Sequence, residues 1–434
     1  MSDSLDEVQE NICRLSVESN EFGDFNYRYA VRQEKYDALV LDARLRQSLM
    51  TVRSLGKRGL RVAALGTFAG VPTFSSRWCQ QAFVCSADEG ADAYLTYLEQ
   101  LLACTDAHVL IVSSDATIAL IREHRKRLER LVRIALAKEP ALGVAINKEQ
   151  TLEVARRLRL AIPCSITVGS VSEVEVALRE VGLPAVIKPV ESWIRQRGIR
   201  VESQLVTTPD EARLAVEELT NLGMVALFQQ FLSGRREAVS FLYADGQIFA
   251  RFAQWAKRTV PPLGGQSVLR QSIAVPSDTG DQAERLVREI GLEGYSEVEF
   301  RRDGAGTPYL MEINPRLSAS IEVAVRAGVD FPYLLYQWAS GDQINIIKGY
   351  HVGGWVRYMK GDLATTILAV QERGRPGVAR PARAILDFCA SFCKPMGYDY
   401  VDWKDPLPAW TATVGFARYL SRRVGKSFSR MKLQ

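Results

Sequence analysis

The sequence predicts an α/β first part followed by an α+β second part, on three observations. From residue 36, short apolar runs alternate with helical stretches at the spacing of strand–helix–strand units, which predicts a parallel, doubly wound sheet. From about residue 165, hairpins and helices succeed one another instead. The stretch Tyr295–Arg316, YSEVEFRRDGAGTPYLMEINPR, reads as two strands joined by a turn and carries paired acids.

In that hairpin Glu297 and Glu299 are two apart and share one face of the first strand. Gly304–Thr307 supplies the turn. On the second strand Leu310, Glu312 and Asn314 share one face, and Tyr309, Met311 and Ile313 the other. The midpoint between Glu299 and Glu312 falls at Ala305–Gly306, so a symmetric hairpin sets the two carboxylates opposite each other. Like charges so placed are destabilising unless compensated. Two carboxylates and an amide oxygen are hard ligands of the kind Mg²⁺ takes when it also holds phosphates. The alternative is a solvated acidic edge.

The chain has 434 residues, enough for two or three domains, and 47% apolar residues, ample for sizeable cores. Its net charge of +5 does not call for nucleic acid, and it is unevenly placed. Residues 409–434 hold Arg418, Arg422, Arg423, Lys426, Arg430 and Lys432 and no acid, so the remainder is close to neutral. Seven scattered cysteines fit reduced thiols in a cytoplasmic chain, and three distant histidines disfavour His-rich zinc sites and His-based triads. The acidic N-terminus does not read as a signal peptide, and no apolar run is long enough for a membrane span.

Taken in order, residues 1–35 read as a mobile leader. Strands are expected at 36–42, 61–66, 82–85 and 108–112, with helices at 46–58, 91–103 and about 115–136. The loop 66–76 is not a GxGxxG turn, which favours a scaffold or acceptor-substrate domain over a dinucleotide site. A helix opens at Lys148, and strand 183–189 ends on Lys188 and Pro189, where the ammonium either snorkels to solvent or meets a phosphate. The loop ESWIRQRGIRV (191–201) is basic through Arg195, Arg197 and Arg200. Strand 225–231 carries Gln229 and Gln230, and Arg235-Arg236-Glu237 leads into the next strand. Lys257, Arg258, Gly264, Gly265, Ser267 and Arg270 precede the acidic hairpin and read as a substrate-carboxylate or phosphate site, or else as a mobile hairpin loop. Cys389 and Cys393 stand one helical turn apart and read as core cysteines rather than a metal site. The tail 409–434 interleaves apolar and basic residues, which suits contact with a membrane surface or a polyanion, or packing on its own protein with a basic outer face.

Lys148, Ile187-Lys188-Pro189, the Gln229–Glu237 stretch, Glu299 and above all Glu312-Ile313-Asn314-Pro315-Arg316 resemble, in order and spacing, the ATP-grasp ligases over roughly residues 36–345. The resemblance implies a parallel Rossmann-like domain before the ATP-grasp unit (36–145), then an ATP-grasp domain at 146–345. Its small lobe would span about 165–228 and its large lobe about 229–345, followed by a C-terminal extension (346–408) and the basic tail (409–434). It implies ATP and one or two Mg²⁺, with Mn²⁺ as a substitute. Lys148 and Lys188 would contact phosphates, and Gln229, Gln230 and Leu232 would line the adenine hinge. Glu237 would hold the ribose, Glu299, Glu312 and Asn314 the metal, and Arg316 the γ-phosphate and acyl phosphate. Arg316 and Arg270 are the candidate catalytic cations. The implied function is ligation of a small carboxylate to a small amine through an acyl phosphate, with ADP and phosphate released, by a homo-oligomer. Carbamoyl-phosphate or carboxyphosphate chemistry, or a non-catalytic ATP-binding regulator, are the alternatives. The loop 191–201 departs from the family by having one glycine and three arginines, which clamp phosphates or serve another partner.

Overall fold

The computed structural model describes residues 35–86, 90–194, 199–262, 264–375 and 378–417, and the side chains of 194, 199 and 200 are not among what is described. Residues 1–34 of the proposed leader, Arg195, Arg197, Gly198 and most of the basic tail lie outside these residues.

The first unit is a parallel five-stranded sheet: β1 (Ala38–Val40), β2 (Val62–Gly66), β3 (Gln81–Val84), β4 (Val109–Ile111) and β5 (Arg133–Ile134), in the order β3-β2-β1-β4-β5. β1, β2 and β4 are buried along their whole length, as expected of strands covered on both faces. The helix expected at 115–136 ends at Leu128, and the residues beyond it turn back to form β5. The apolar spacing of a helix runs on past Leu128 through Leu131, Val132 and Ala135 and so does not mark this end. From there Val132 and Ile134 are buried around the exposed Arg133, the period-two pattern of a strand.

A second sheet is antiparallel, built from β6 (Ser165–Val168), β7 (Ala185–Pro189), β10 (Gln204–Val206) and β11 (Ala226–Gln230) in the order β10-β7-β11-β6. A two-stranded ribbon, β8 (Trp193–Ile194) and β9 (Ile199–Arg200), lies between β7 and β10 in sequence. The helices Val174–Val181 and Pro209–Asn221 cover this sheet with a core of their own that includes Val168, Ile187, Val216 and Phe228. Thr208 caps the second helix by accepting from the Glu211 amide, ahead of Pro209 at the first helical position.

The third sheet has seven strands: β12 (Arg236–Ala244), β13 (Gln247–Val260), β14 (Gln266–Ile273), β15 (Gly294–Arg302), β16 (Pro308–Asn314), β17 (Trp355–Arg357) and β18 (Gly397–Tyr398). Their order is β16-β15-β12-β13-β14-β17-β18, antiparallel except between β17 and β18. Residues beyond 346 therefore extend the large sheet rather than standing apart from it. They also grip the first unit. Asp405 accepts from Arg53 Nε at 2.9 Å, both side chains being 1% exposed, and Asp402 pairs with Lys57.

The helix Pro381–Ala390 leaves Ile385, Leu386 and Cys389 exposed, and Cys393 in the turn after it is exposed too, so the two cysteines are not core residues. No helix of the described residues is long and apolar enough to cross a membrane.

Candidate functional site

The three sheets meet around one cleft of about 2560 Å³. Its floor is the hairpin β15–β16. The register pairs Glu299 with Glu312 and Glu297 with Asn314, so the two central carboxylates do face each other. Between Glu299 and Phe300 the register slips, and Met311 is the extra residue on β16. The bulge breaks the expected alternation. Leu310 and Ile313 both enter the core, while Met311 and Glu312 both line the cleft.

Glu299 Oε1 accepts from Asn314 Nδ2 at 3.0 Å, and Oε2 accepts from Arg236 Nε at 2.9 Å. Burial pushes the Glu299 carboxyl up to about 7, opposed by the Arg236 charge and reinforced by Glu312 and Glu297. Burial acts the same way on Glu312, but the charges of Lys148, Lys188 and Arg236 outweigh it and hold this carboxyl below its ordinary value. Glu297 is 3% exposed and accepts from Gln254 Nε2 at 2.8 Å and Ser318 Oγ at 2.9 Å, and burial raises it.

The opposite wall comes from the second sheet. Lys188, on β7, is buried, and desolvation pushes its ammonium down to about 8 although Glu312 and Glu299 support the charge. Lys148 opens the helix Lys148–Arg157, whose N-cap Asn147 accepts from the Gln150 amide, and its Nζ donates to Ser192 Oγ at 2.8 Å. Gln229, on β11, is 0% exposed, lines the cleft, and has no hydrogen-bond partner for either amide atom. A buried amide without partners is costly, which marks this side chain as placed for a ligand.

The first sheet closes one end. Its strand order reverses between β1 and β4, and the loops that follow them, Asp42–Arg44 and Ser113–Asp115, line the cleft. Crevices at such switch points are where open parallel sheets bind ligands. Asp42 has a φ of 58° and accepts from the Ser113 amide, Ser114 Oγ and Thr117 Oγ1. Arg316 leaves the end of β16 and donates from Nε to Asp115 Oδ1 at 2.6 Å, joining the acidic hairpin to the first unit.

Lys148, Lys188, Gln229, Glu299, Glu312, Asn314 and Arg316 therefore come together, whereas Gln230, Leu232, Glu237 and Arg270 do not line the cleft. Gln230 is exposed and Leu232 is buried. The placements of Glu237 and Arg270 correct two expectations. Glu237 points to the core face of β12, where Arg302 donates to both its oxygens at 3.0 and 2.9 Å and Arg235 adds a third contact. Its neighbour Arg236 is the one that faces the cleft. Strand alternation carries this signal, because Arg236 and Ala238 share the face of β12 that meets Glu299. Arg270 is fully buried and pairs with Asp399, which also receives Arg46. Arg258 is likewise held away, by Asp362. Gly264, Gly265 and Ser267 do line the cleft, but the Gly264 amide donates to Pro261 O and the Gly265 carbonyl accepts from Arg236. Gly265 is needed there, since its φ is +97° and a Cβ would lie 2.4 Å from Val260 O.

Among the described residues, no three His, Cys, Asp or Glu side chains gather closely enough to hold a metal ion by themselves. Glu299, Glu312 and Asn314 do suit Mg²⁺, which binds through one or two carboxylates and completes its shell with water and phosphate oxygens. The register pair of Glu299 and Glu312, two carboxylates facing each other on adjacent strands with the Asn314 amide 3.0 Å from Glu299 Oε1, is the observation that fits a cation there.

Residues 230–354 match the family model described as ATP-grasp in the biosynthetic pathway with Ter operon. The chain is 27% identical over 190 residues to a D-alanine–D-alanine ligase of Gloeobacter violaceus, covering 39% of this chain and 58% of that protein. It is 30% identical over 210 residues to the carbamoyl phosphate synthase large chain of Thermus thermophilus, covering 44% and 19%. The chain thus spans less than two thirds of either relative. Among solved structures, the biotin carboxylase domain dimer of Hydrogenobacter thermophilus 2-oxoglutarate carboxylase, complexed with MgADP, ADP and bicarbonate, superposes with a TM-score of 0.59 at 13% identity over 74% of both chains. The facing acids of the hairpin, with Asn314, lie within the stretch that matches the ATP-grasp model, and the chain is similar in fold to the carboxylase domain.

Proposed function

We propose that this chain is an ATP-dependent ligase that activates a carboxylate as an acyl phosphate and joins it to an amine, releasing ADP and phosphate. The observation that carries the reading is the Glu299–Glu312 register pair, with Asn314 and Arg316 beside it, facing Lys188 and Lys148 across one cleft. The sequence relatives named D-alanine–D-alanine ligase and the neighbour complexed with MgADP support it.

Gln229 meets the adenine edge, since an amide oxygen and NH₂ match the N6 donor and N7 acceptor of that base. Gln230 and Leu232 contribute to the hinge through backbone only. Lys148 and Lys188 receive the phosphates. Glu299, Glu312 and Asn314 hold Mg²⁺, which neutralises phosphate charge when bound. Arg316, tied to Asp115, steadies the transferred phosphoryl group at the junction with the switch-point crevice. Arg236, which donates to Glu299, adds a further positive charge. Arg270 acts at one remove, by fixing Asp399 in the wall.

An oxygen of the substrate carboxylate attacks the γ-phosphorus, and the bond to the β–γ bridging oxygen breaks, leaving ADP. The amine nitrogen then attacks the acyl carbon, the carbon–oxygen bond to phosphate breaks, and the nitrogen gives up a proton. No side-chain nucleophile is required, and positioning together with charge neutralisation supplies the stabilisation. The acid and amine enter between Asp42–Arg44 and Ser113–Asp115. We place the protein in the cytoplasm, as a homo-oligomer.

The test is a screen of amino acids, small diacids and amino sugars, read as Mg²⁺-dependent ADP release, with Glu312→Ala alongside. The reading predicts a pair of substrates that stimulates ADP release and no release by the variant. Bicarbonate and ammonia as that pair would favour carboxyphosphate chemistry. ATP binding without turnover on any pair would favour a regulatory protein.

A further inference from the structure

Two helices open onto the switch-point crevice of the first sheet, and their first turns are furnished differently. The helix Asp115–Leu128 is capped by Ser114, which accepts from the Thr117 amide, and has an acid, Asp115, in its first turn. Asp42 also turns to that helix, accepting from Ser114 Oγ and Thr117 Oγ1. The helix Arg46–Gly56 has no side-chain cap and no acid in its first turn. The first amides of a helix have no partner within it and carry its positive end. Leu45, Arg46 and Gln47 line the cleft, so the uncapped end opens onto it.

Two further groups stand there. Ser113, on the loop after β4, is 0% exposed and lines the cleft. Its carbonyl accepts from Gln47 Nε2 at 2.9 Å, which sets it against the first turn of the uncapped helix, and its amide donates to Asp42. Its hydroxyl has no partner. A buried hydroxyl left unpaired is costly and, like the Gln229 amide, marks a place made for a ligand atom. Arg44 is exposed, lines the cleft and takes part in no hydrogen bond or ion pair among the described residues. Its neighbours are committed, Arg46 to Asp399 and Arg316 to Asp115.

Amides, a hydroxyl and a guanidinium all donate, and two of the three favour negative charge. A carboxylate or phosphate accepts from all of them, whereas an ammonium would meet like charge. The lysines assigned to the ATP phosphates stand on another wall of the cleft, Lys188 on β7 and Lys148 on the helix Lys148–Arg157. We propose that the first turn of the helix Arg46–Gly56, Ser113 Oγ and Arg44 form an oxyanion subsite, and that the acid or the amine carries a carboxylate or phosphate, in addition to its reacting group, that is held there. The assignment of this anion to a ligase substrate rests on the function proposed above.

Melting curves of the full-length protein over a series of inorganic phosphate, and separately of malonate, at constant ionic strength test it. They are run with saturating Mg²⁺ and the non-hydrolysable analogue AMP-PNP, and also on Lys188→Met without nucleotide, so that the result does not hinge on nucleotide binding. The expected result is saturable stabilisation by at least one of the two anions in both forms. Arg44→Met should weaken that binding about tenfold, the worth of a charge-assisted contact, and Ser113→Ala about fivefold. Neither variant should lower the melting temperature without anion, because neither side chain has a partner to lose. A purely structural role would lower that temperature and leave the anion affinity alone. Tighter binding of phosphate names a phosphate ester as the substrate group, and tighter binding of malonate a second carboxylate. In the ADP-release screen the stimulating pair should include a member with such a group, and Arg44→Met should raise its KM about tenfold. No saturable stabilisation by either anion, or stabilisation that neither variant weakens, overturns the proposal. A stimulating pair without a second oxyanion, indifferent to Arg44→Met, also overturns it and leaves the ligase reading standing. Anion binding that both variants weaken, with no ADP release on any pair, upholds the subsite and removes the ligase reading.

Discussion

Lys188→Met should make the nucleotide-free protein more stable while weakening nucleotide binding. The ammonium of Lys188 is buried, with burial pushing it from 10.5 down to about 8. At about 1.4 kcal/mol per pH unit, keeping it charged costs about 3 kcal/mol. Methionine has a similar length and no charge, so that cost disappears. Part of the gain is returned, because Glu312 loses one of the cations that hold it ionised, though Lys148 and Arg236 remain. The expected net stabilisation is about 1–2 kcal/mol, a few degrees in Tm. The sign follows from linkage. A lysine whose folded value lies below its unfolded value destabilises the fold below the folded value, and the penalty fades as pH rises toward the unfolded one. The advantage of the variant should therefore be full at pH 7, shrink between about pH 8 and 10.5, and vanish above. Urea denaturation at pH 7 and pH 10 measures it. The same variant should lose roughly ten- to a hundredfold in affinity for Mg·ATP, the worth of a charge-assisted contact. A variant less stable than the parent at pH 7, or an advantage indifferent to pH, would refute the electrostatic account of this wall. Unchanged ATP affinity would refute the phosphate role.

Gln229→Leu should stabilise the free protein slightly or leave it unchanged, since it removes two buried amide atoms without partners, and should weaken ATP binding about tenfold; calorimetry and thermal melts read both. Asp405→Ala should destabilise by about 3–5 kcal/mol, because it leaves Arg53 buried and unpaired, with denaturant midpoints as the readout. Glu237→Gln should cost stability through Arg302 and leave the affinity for ATP within about twofold, whereas a loss comparable to that of Gln229→Leu would restore Glu237 to the ribose.

The acidic hairpin was legible because a symmetric turn and a period of two place Glu299 against Glu312 without outside help. Its bulge was not, because Met311 carries no glycine or proline to announce it. The parallel sheet could be read in β1 to β4, while β5, two residues long, sits in a run whose apolar spacing also suits the helix before it. Trp355–Tyr358 reads as a strand, where β17 lies, but nothing local shows which sheet it joins, and β18 is again only two residues long, which is why residues beyond 346 looked separate from the large sheet. Arg270 and Glu237 were misread for another reason. Their residue type and strand position were right for a site, but their partners Asp399 and Arg302 stand 129 and 65 residues away in sequence. Long-range ion pairs leave no local trace. Arg236 was the recoverable omission, since alternation along β12 puts it, not Glu237, on the face that meets Glu299.

The central claim is that the hairpin and the lysines facing it transfer the γ-phosphoryl group of ATP to a carboxylate. The direct measurement is ³¹P NMR of a turnover mixture with Mg²⁺ and the stimulating substrates, using carboxylate labelled with ¹⁸O. The account predicts ADP and inorganic phosphate, with one ¹⁸O carried into the phosphate, and no products from Glu312→Ala. AMP and pyrophosphate, or phosphate free of label, would contradict it.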